Sequence, residues 1–210
     1  NNVPTDFGSQ EDLLAKVNKV LFGPTAFPQR VDQSDCVDML TASSMNYYEG
    51  VTQKEAEDFY AKMAAEDPHK DTPISYGLNS KLMKEDGKLV EKVWKVGGMY
   101  TPAIEKVVFW LEKASEVANP TQKNIVDKLI SYYRSGDLKE FDEFNILWVK
   151  DTISNVDFIN GFTETYGDPL GYKASWESLV NFKNIEATKR TEVISSNAQW
   201  FEDHSPIDAR

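Results

Sequence analysis

The stretch "VDFINGFTETYGDPLGYKASWESLVNF", Val156 to Phe182, sets the fold class, because it reads as two strands joined by a reversal. Val156, Phe158 and Phe162 alternate with Asp157, Ile159 and Gly161, which is the period of a half-buried strand. That strand is expected to run from Val156 to Tyr166, turn through "GDPLG", and return along Ser175 to Phe182. A second hairpin is expected upstream, with Ile74 to Met83 and Lys88 to Val96 flanking "KEDG", where Asp86-Gly87 is the turn signal.

Helix signals fill the rest of the chain. Ser9 precedes the stripe Leu13, Leu14, Val17, Val20, Leu21, and Thr52 with Glu55 has capping-box spacing ahead of Phe59, Tyr60 and Met63. Thr101-Pro102 and Asn119-Pro120 open two further helices, the second closed by Gly136, and Asp137 with Glu140 repeats the capping-box pattern before Phe141, Phe144 and Trp148. Three consecutive helices with short connections predict an antiparallel helical layer. The last segment, Asn184 to Arg210, reads as helical, but its apolar residues Ile185, Val193, Ile194, Ala198 and Phe201 are too sparse to anchor it alone. The expectation is an α+β fold, mostly helical with two β-hairpin-like segments. Residues 1–183 would form one unit, and 184–210 a helix seeking a surface beyond it.

Composition removes whole classes of function. The 210 residues carry 34 acidic and 23 basic side chains, a net charge of −11, which lacks the basic face that phosphate binding requires. The densest apolar run, Val107 to Leu111, is far short of the roughly 20 residues of a spanning helix. A single cysteine, Cys36, excludes an intrachain disulfide and a four-cysteine zinc site, and its acidic neighbours favour an inert thiol. Asp203-His204-Ser205 has the residue types of a hydrolytic triad, but adjacent residues cannot converge as a triad must, so it reads as a surface tripeptide. Gly97-Gly98 lacks the lysine of a phosphate loop. The chain opens "NNVPTDFGSQ" without methionine, which suggests a processed or trimmed protein.

Glu164 and Tyr166 stand out. On a strand, residues two apart share a face and lie roughly 7 Å from each other. An acid that continues an apolar face into a turn is either a rim residue or a polar group placed in a cleft. A carboxylate beside a phenol suits recognition of a peptide's free amino end next to a carbonyl oxygen becoming negative. The other reading is a solvated strand end with a packed tyrosine.

The segment "GFTETYGDPLG", Gly161 to Gly171, resembles the dipeptidyl peptidase III family, zinc-dependent exopeptidases that release dipeptides from the amino end of oligopeptides. The shared pattern is an acid, any residue, tyrosine, then Asp-Pro-x-Gly one position later, met here by Glu164, Tyr166, Asp168, Pro169 and Gly171. "WVKD" at Trp148 to Asp151, "WESLVNF", "YGLNSKLMKEDGKLVEKVWKVGG" and "SSNAQWFEDHSP" extend the likeness over most of the chain. Lys173 departs from the arginine usual in eukaryotic members.

The resemblance implies part of the non-zinc lobe of a two-lobed peptidase, with cytoplasmic location and no nucleic-acid or membrane partner. Tyr166 would be catalytic, bonding the scissile carbonyl oxygen. Glu164 would bind the substrate's terminal ammonium, Trp148 would line the cleft, and Glu177 would be a further candidate for the amino-end pocket. The family holds zinc with two histidines and a glutamate in and near an HExxGH-type motif. His69 in "EDPHKD" and His204 in "FEDHSP" do not match it. Zinc is thus expected only in the full-length enzyme, on ligands outside this chain, and the chain is expected to be an interior fragment, inactive alone, with an oligopeptide and the zinc lobe of its own protein as partners. The alternative is a non-catalytic helical module that binds peptides or proteins.

Overall fold

Local capping sets where the helices begin. The computed structural model describes residues 8–23, 29–35 and 37–207, so Cys36 lies outside the described residues. Ser9 and Asp12 bond reciprocally at the start of α1 (Gln10–Phe22), as do Thr52 and Glu55 at the start of α3 (Gln53–Glu66). Asp38 caps a short α2 (Met39–Ala42), an element the sequence did not announce. Asn119 caps α5 (Pro120–Ser135), and Gly136 ends it at φ 75°, a left-handed backbone that favours glycine.

Two expected caps form differently. Tyr100, at φ 61°, precedes α4 (Thr101–Val117), while Thr101 Oγ1 donates to the Gly98 carbonyl at 2.7 Å instead of capping the helix. Asp137 accepts from the Lys139 N–H at the start of α6 (Leu138–Lys150), but Glu140 does not complete a box. Its carboxylate takes the hydroxyls of Ser131, at 2.6 Å, and Ser135, which lie on α5. A charge-assisted pair of hydroxyl donors outcompetes one backbone N–H.

The helices α4, α5 and α6 pack in chain order through short connections, as expected. The first hairpin is shorter than its sequence suggests: β2 (Ser80–Glu85) pairs antiparallel with β3 (Lys88–Val93). Asp86 and Gly87 both have positive φ, 49° and 77°, the backbone of a tight two-residue turn. Ile74 to Asn79 turn on themselves, with Tyr76 N–H to Ile74 and Leu78 N–H to Ser75, so the strand begins only at Ser80. A two-residue β1 (Tyr48–Glu49), unforeseen from sequence, adds in parallel to β2.

The second hairpin, β4 (Val156–Glu164) with β5 (Ser175–Phe182), lies on the helical layer through aromatic contacts. Tyr132 stacks on Phe141 at 4.6 Å, Phe141 on Phe144 at 5.7 Å, and Phe144 meets Phe158 at 6.2 Å. Tyr133, almost fully buried, donates to Asn160 Oδ1 at 2.5 Å and accepts from Trp176 Nε1 at 2.8 Å. One phenol on α5 thereby grips both strands.

The ends of the chain pack least. The C-terminal stretch is two helices, α7 (Ile185–Ser195) and α8 (Ala198–Asp203), broken at Ser196-Asn197, and neither has a buried residue. The stripe of α1 is also exposed, from Leu14 through Phe22. Among the described residues no helix is long and apolar enough to cross a membrane.

Tyr133→Phe keeps the ring but strands the Trp176 N–H and the Asn160 carbonyl. It is expected to cost about 1–2 kcal/mol in urea unfolding, the scale for a lost buried hydrogen bond with unpaired partners. Tyr166→Phe, at a ring 72% exposed, is expected to leave the same transition unmoved.

Candidate functional site

Glu164 is the last residue of β4 and Tyr166 lies past it, in the turn. The expected strand to Tyr166 stops short for a local reason. Phe162 pairs with Trp176 and Glu164 with Ser175, so Thr163 is an unpaired bulge. The extra residue resets the alternation, and the Asp168 N–H then closes a turn onto the Thr165 carbonyl at 3.0 Å. Glu164 and Tyr166 therefore do not share a strand face; a bulge followed by a turn sets their relation.

Asp168 organises that turn. Its Oδ2 accepts from the N–H of Tyr172 (2.9 Å), the N–H of Lys173 (2.7 Å) and the hydroxyl of Tyr48 (2.8 Å), while Oδ1 accepts from the Leu170 N–H (3.2 Å). A short carboxylate that collects backbone N–H groups is how Asp stabilises a reversal. From outside, the Gln33 amide donates to the Pro169 carbonyl at 2.8 Å. The Arg30 guanidinium rests against Gly167, so close that a Cβ there would stand 2.6 Å from Nη2.

Lys173 closes the far end of the loop and is completely buried. Its Nζ donates to Ser80 Oγ at 2.9 Å and to the Tyr60 hydroxyl, and lies 3.6 Å from the Glu91 carboxylate. Both hydroxyls donate in turn to Glu91 Oε1, at 2.6 Å from Ser80 and 2.7 Å from Tyr60. The ammonium also sits 4.6 Å from the centre of the Tyr60 ring. Burial pushes the Lys173 ammonium down to about 8, against the opposing pull of Glu91 and Asp168. Burial likewise pushes the Tyr48 and Tyr60 phenols up, helped by the facing carboxylates of Asp168 and Glu91 respectively.

These shifts fix a pH dependence. The folded lysine loses its proton at about 8 and the unfolded one at 10.5, so the unfolded chain binds more protons between those values and stability rises with pH there. Above pH 10 the buried tyrosines Tyr48, Tyr60, Tyr132 and Tyr133, all pushed up from 10.0, reverse the trend. The urea midpoint is expected to climb from roughly pH 7.5 to roughly pH 9.5 in the native protein. In Lys173→Met that climb disappears; an equal climb in both proteins assigns it to another group.

The remaining predicted site residues sit around the same hairpin. Glu177 lies across from Gly161, and its Oε1 accepts from the hydroxyl of Thr163, the bulged residue. Trp148, near the end of α6, donates from Nε1 to Asp157 Oδ1 at 2.9 Å. A narrow crevice between α6 and β4 is lined by both Trp148 and Thr163. Asp157 and Glu164 are nevertheless seven positions apart on β4, roughly 20 Å of strand. The structure thus groups Glu164, Tyr166 and Glu177 at one end of the hairpin and puts Trp148 towards the other. Beside Glu164, its ladder partner Ser175 borders an apolar groove of about 400 Å³ walled by Tyr47, Trp94, Tyr100, Ile104, Phe162 and Trp176. The Gly98 N–H is spent on the Lys95 carbonyl, and His204 stacks on Trp200 at 4.3 Å.

Sequence reading missed what holds the turn. Tyr48, Tyr60, Ser80 and Glu91 lie far from it in the chain, Tyr48 120 positions before Asp168 and Tyr60 113 positions before Lys173. The available signal was Lys173 itself, a lysine directly before Ala174 on the approach to a half-buried strand. Among the described residues no group of three or more His, Cys, Asp or Glu side chains could hold a metal ion, so the residues present do not make a zinc site.

The Peptidase family M49 model matches residues 26–209. Dipeptidyl peptidase 3 of Dictyostelium discoideum is 31% identical over 124 residues, 59% of this chain and 18% of that protein. Nudix hydrolase 3 of Arabidopsis thaliana is 29% identical over 113 residues, 53% of this chain and 14% of that protein. The matched region thus spans under a fifth of either relative's length. Among solved structures, DPP III from Caldithrix abyssi superposes with a TM-score of 0.56 at 20% identity, over 94% of this chain and 36% of that one, a likeness of fold. With a family model matching nearly its whole length, the chain belongs to peptidase family M49, the dipeptidyl peptidase III family that the motif around Glu164 and Tyr166 resembles.

Proposed function

We propose that this chain is the substrate-recognition portion of a zinc-dependent exopeptidase that removes dipeptides from the amino end of oligopeptides. The observation that carries the reading is the contrast at the reversal. Tyr166 is 72% exposed, on a turn whose other residues are bonded from beneath, and Glu164 stands two residues away. An exposed phenol and a half-buried carboxylate on a hydrogen-bonded frame suit recognition of a small charged ligand.

The carboxylate of Glu164 pairs with the substrate's terminal ammonium, a charge-assisted bond that registers the peptide and fixes the cut two residues in. The phenol of Tyr166 donates to the scissile carbonyl oxygen, a bond that strengthens as that oxygen gains negative charge. Glu177, held towards Thr163, supplements the negative charge at the amino-end pocket, and Trp148 lines the wall further along β4. The zinc would be held by ligands outside these 210 residues and would polarise the scissile carbonyl from the other lobe. The helices α7 and α8, neither with a buried residue, would lead towards the zinc lobe of the full-length protein.

In the full-length enzyme, Tyr166→Phe is expected to lower kcat about 10²-fold, the scale of losing one donor to a developing oxyanion. Glu164→Ala is expected to raise KM for peptides with a free amino end and to spare amino-blocked ones. Equal effects on both peptide classes would remove Glu164 from ammonium recognition. The 210-residue chain itself is expected to hydrolyse nothing and to bind no stoichiometric zinc. Metal analysis that finds one tightly held zinc per chain would reject that assignment.

A further inference from the structure

A lysine with no exposed surface is costly to keep, and Lys173 is the one fully buried ammonium among the described residues. No surface of Lys173 itself is open to a substrate. Its partners instead come from three other elements: Tyr60 on α3, Ser80 on β2 and Glu91 on β3. The next residue, Ala174, continues the attachment, with its N–H on the Leu78 carbonyl at 3.0 Å.

The loop that carries Tyr166 is therefore held at two ends by different means. At its start, Glu164 is in the ladder opposite Ser175, whose Oγ also donates to the Glu164 carbonyl at 3.3 Å. At its finish, Lys173 is pinned by its side chain to the three-stranded sheet and α3. Between them Asp168 ties the backbone of Tyr172 and Lys173 to the hydroxyl of Tyr48 on β1. Among the described residues the Tyr166 hydroxyl has no hydrogen-bond partner, so the course of the backbone sets the direction from which the ring projects.

We infer that Lys173 is a positioning residue, which sets the orientation of Tyr166 by anchoring the end of the 164–173 loop to β2, β3 and α3. The inference rests on the proposed role of Tyr166 and adds to it the interior contact that makes an exposed, unpacked ring usable. A misplaced donor loses its advantage over small displacements, since an oxyanion donor must sit within hydrogen-bond distance of where the charge develops.

The test is a double-mutant cycle in the full-length enzyme, with Lys173→Met and Tyr166→Phe made singly and together and dipeptide release followed at saturating and limiting peptide. Lys173→Met that retains a cooperative thermal transition is expected to lower kcat about tenfold while KM changes little, the signature of an interaction made in the transition state. In the Tyr166→Phe background the same substitution is expected to cost less than about twofold further, because a hydroxyl already removed cannot be misplaced. Lys173→Arg, which keeps charge and donors, is expected to recover most of the loss. Losses that multiply in the double variant, or a native kcat in folded Lys173→Met, would overturn the role of Lys173 alone. A native rate in Tyr166→Phe would overturn the reading of Tyr166 and this inference with it. If Lys173→Met fails to fold, Tyr48→Phe takes its place in the cycle, since it removes one hydroxyl from Asp168 and nothing else. The same non-additivity supports the anchored loop, and multiplying losses reject it.

Discussion

The burial of the Lys173 ammonium constrains more of this chain than any other single contact. An ammonium taken out of water must recover its hydration from fixed partners, and each of those must itself be satisfied. Here the ammonium is met by two hydroxyls and a carboxylate, and both hydroxyls are turned onward to the same carboxylate. That closed set can form only if α3, β2, β3 and the loop after β4 come together in one place. The α+β arrangement is thus specified at its centre by polar complementarity, with apolar packing around it. A network of this kind tolerates few alternative registers, because a shifted strand leaves a charge unpaired in the interior.

What the interior spends on that network the surface uses as rigidity. The acid of the turn, Asp168, and the lysine that ends it are five residues apart, and the bond from the Lys173 N–H to Asp168 joins their two clusters. Tyr48 and Tyr60 are bonded to the same region, so β1, α3 and the turn are tied together through hydrogen bonds. Tyr166 projects from that turn without side-chain packing of its own. A backbone already fixed by these bonds confines the ordering cost of binding to the rotamers of the contacting side chains.

Much of this was legible in sequence, and the part that was not has a common cause. Helix starts at Ser9, Thr52 and Asn119, the stop at Gly136, and the turn at Asp86-Gly87 depend on residues within a few positions of each other, and all form as read. The failures are also local at first sight: the missing box at Glu140, the strand that starts at Ser80 and not Ile74, the bulge at Thr163. Each is decided by something distant or competing. Glu140 is claimed by hydroxyls on α5, and the Ile74–Asn79 turns are fitted around Tyr60, whose ring stands where a Cβ on Gly77 would go. The motif residues Glu164, Tyr166 and Asp168 were visible as a pattern, but the groups that give the pattern its shape are about a hundred residues away, where no periodicity can point to them.

Position in the motif now has separable physical meanings. Glu164 ends a ladder, Thr163 supplies the extra residue that releases the chain from strand alternation, Asp168 collects the N–H groups that the reversal would leave unpaired, and Pro169 needs no such partner because it has no N–H. Gly171, at φ 72°, gives the left-handed step that returns the chain towards Lys173. Only Glu164 and Tyr166 are left with side chains free to meet something outside. A pattern of acid, spacer, tyrosine, spacer, Asp-Pro-x-Gly therefore divides into a half-buried acid, an exposed phenol and a scaffold for them, and the lysine two residues further on is where that scaffold is fastened to the core.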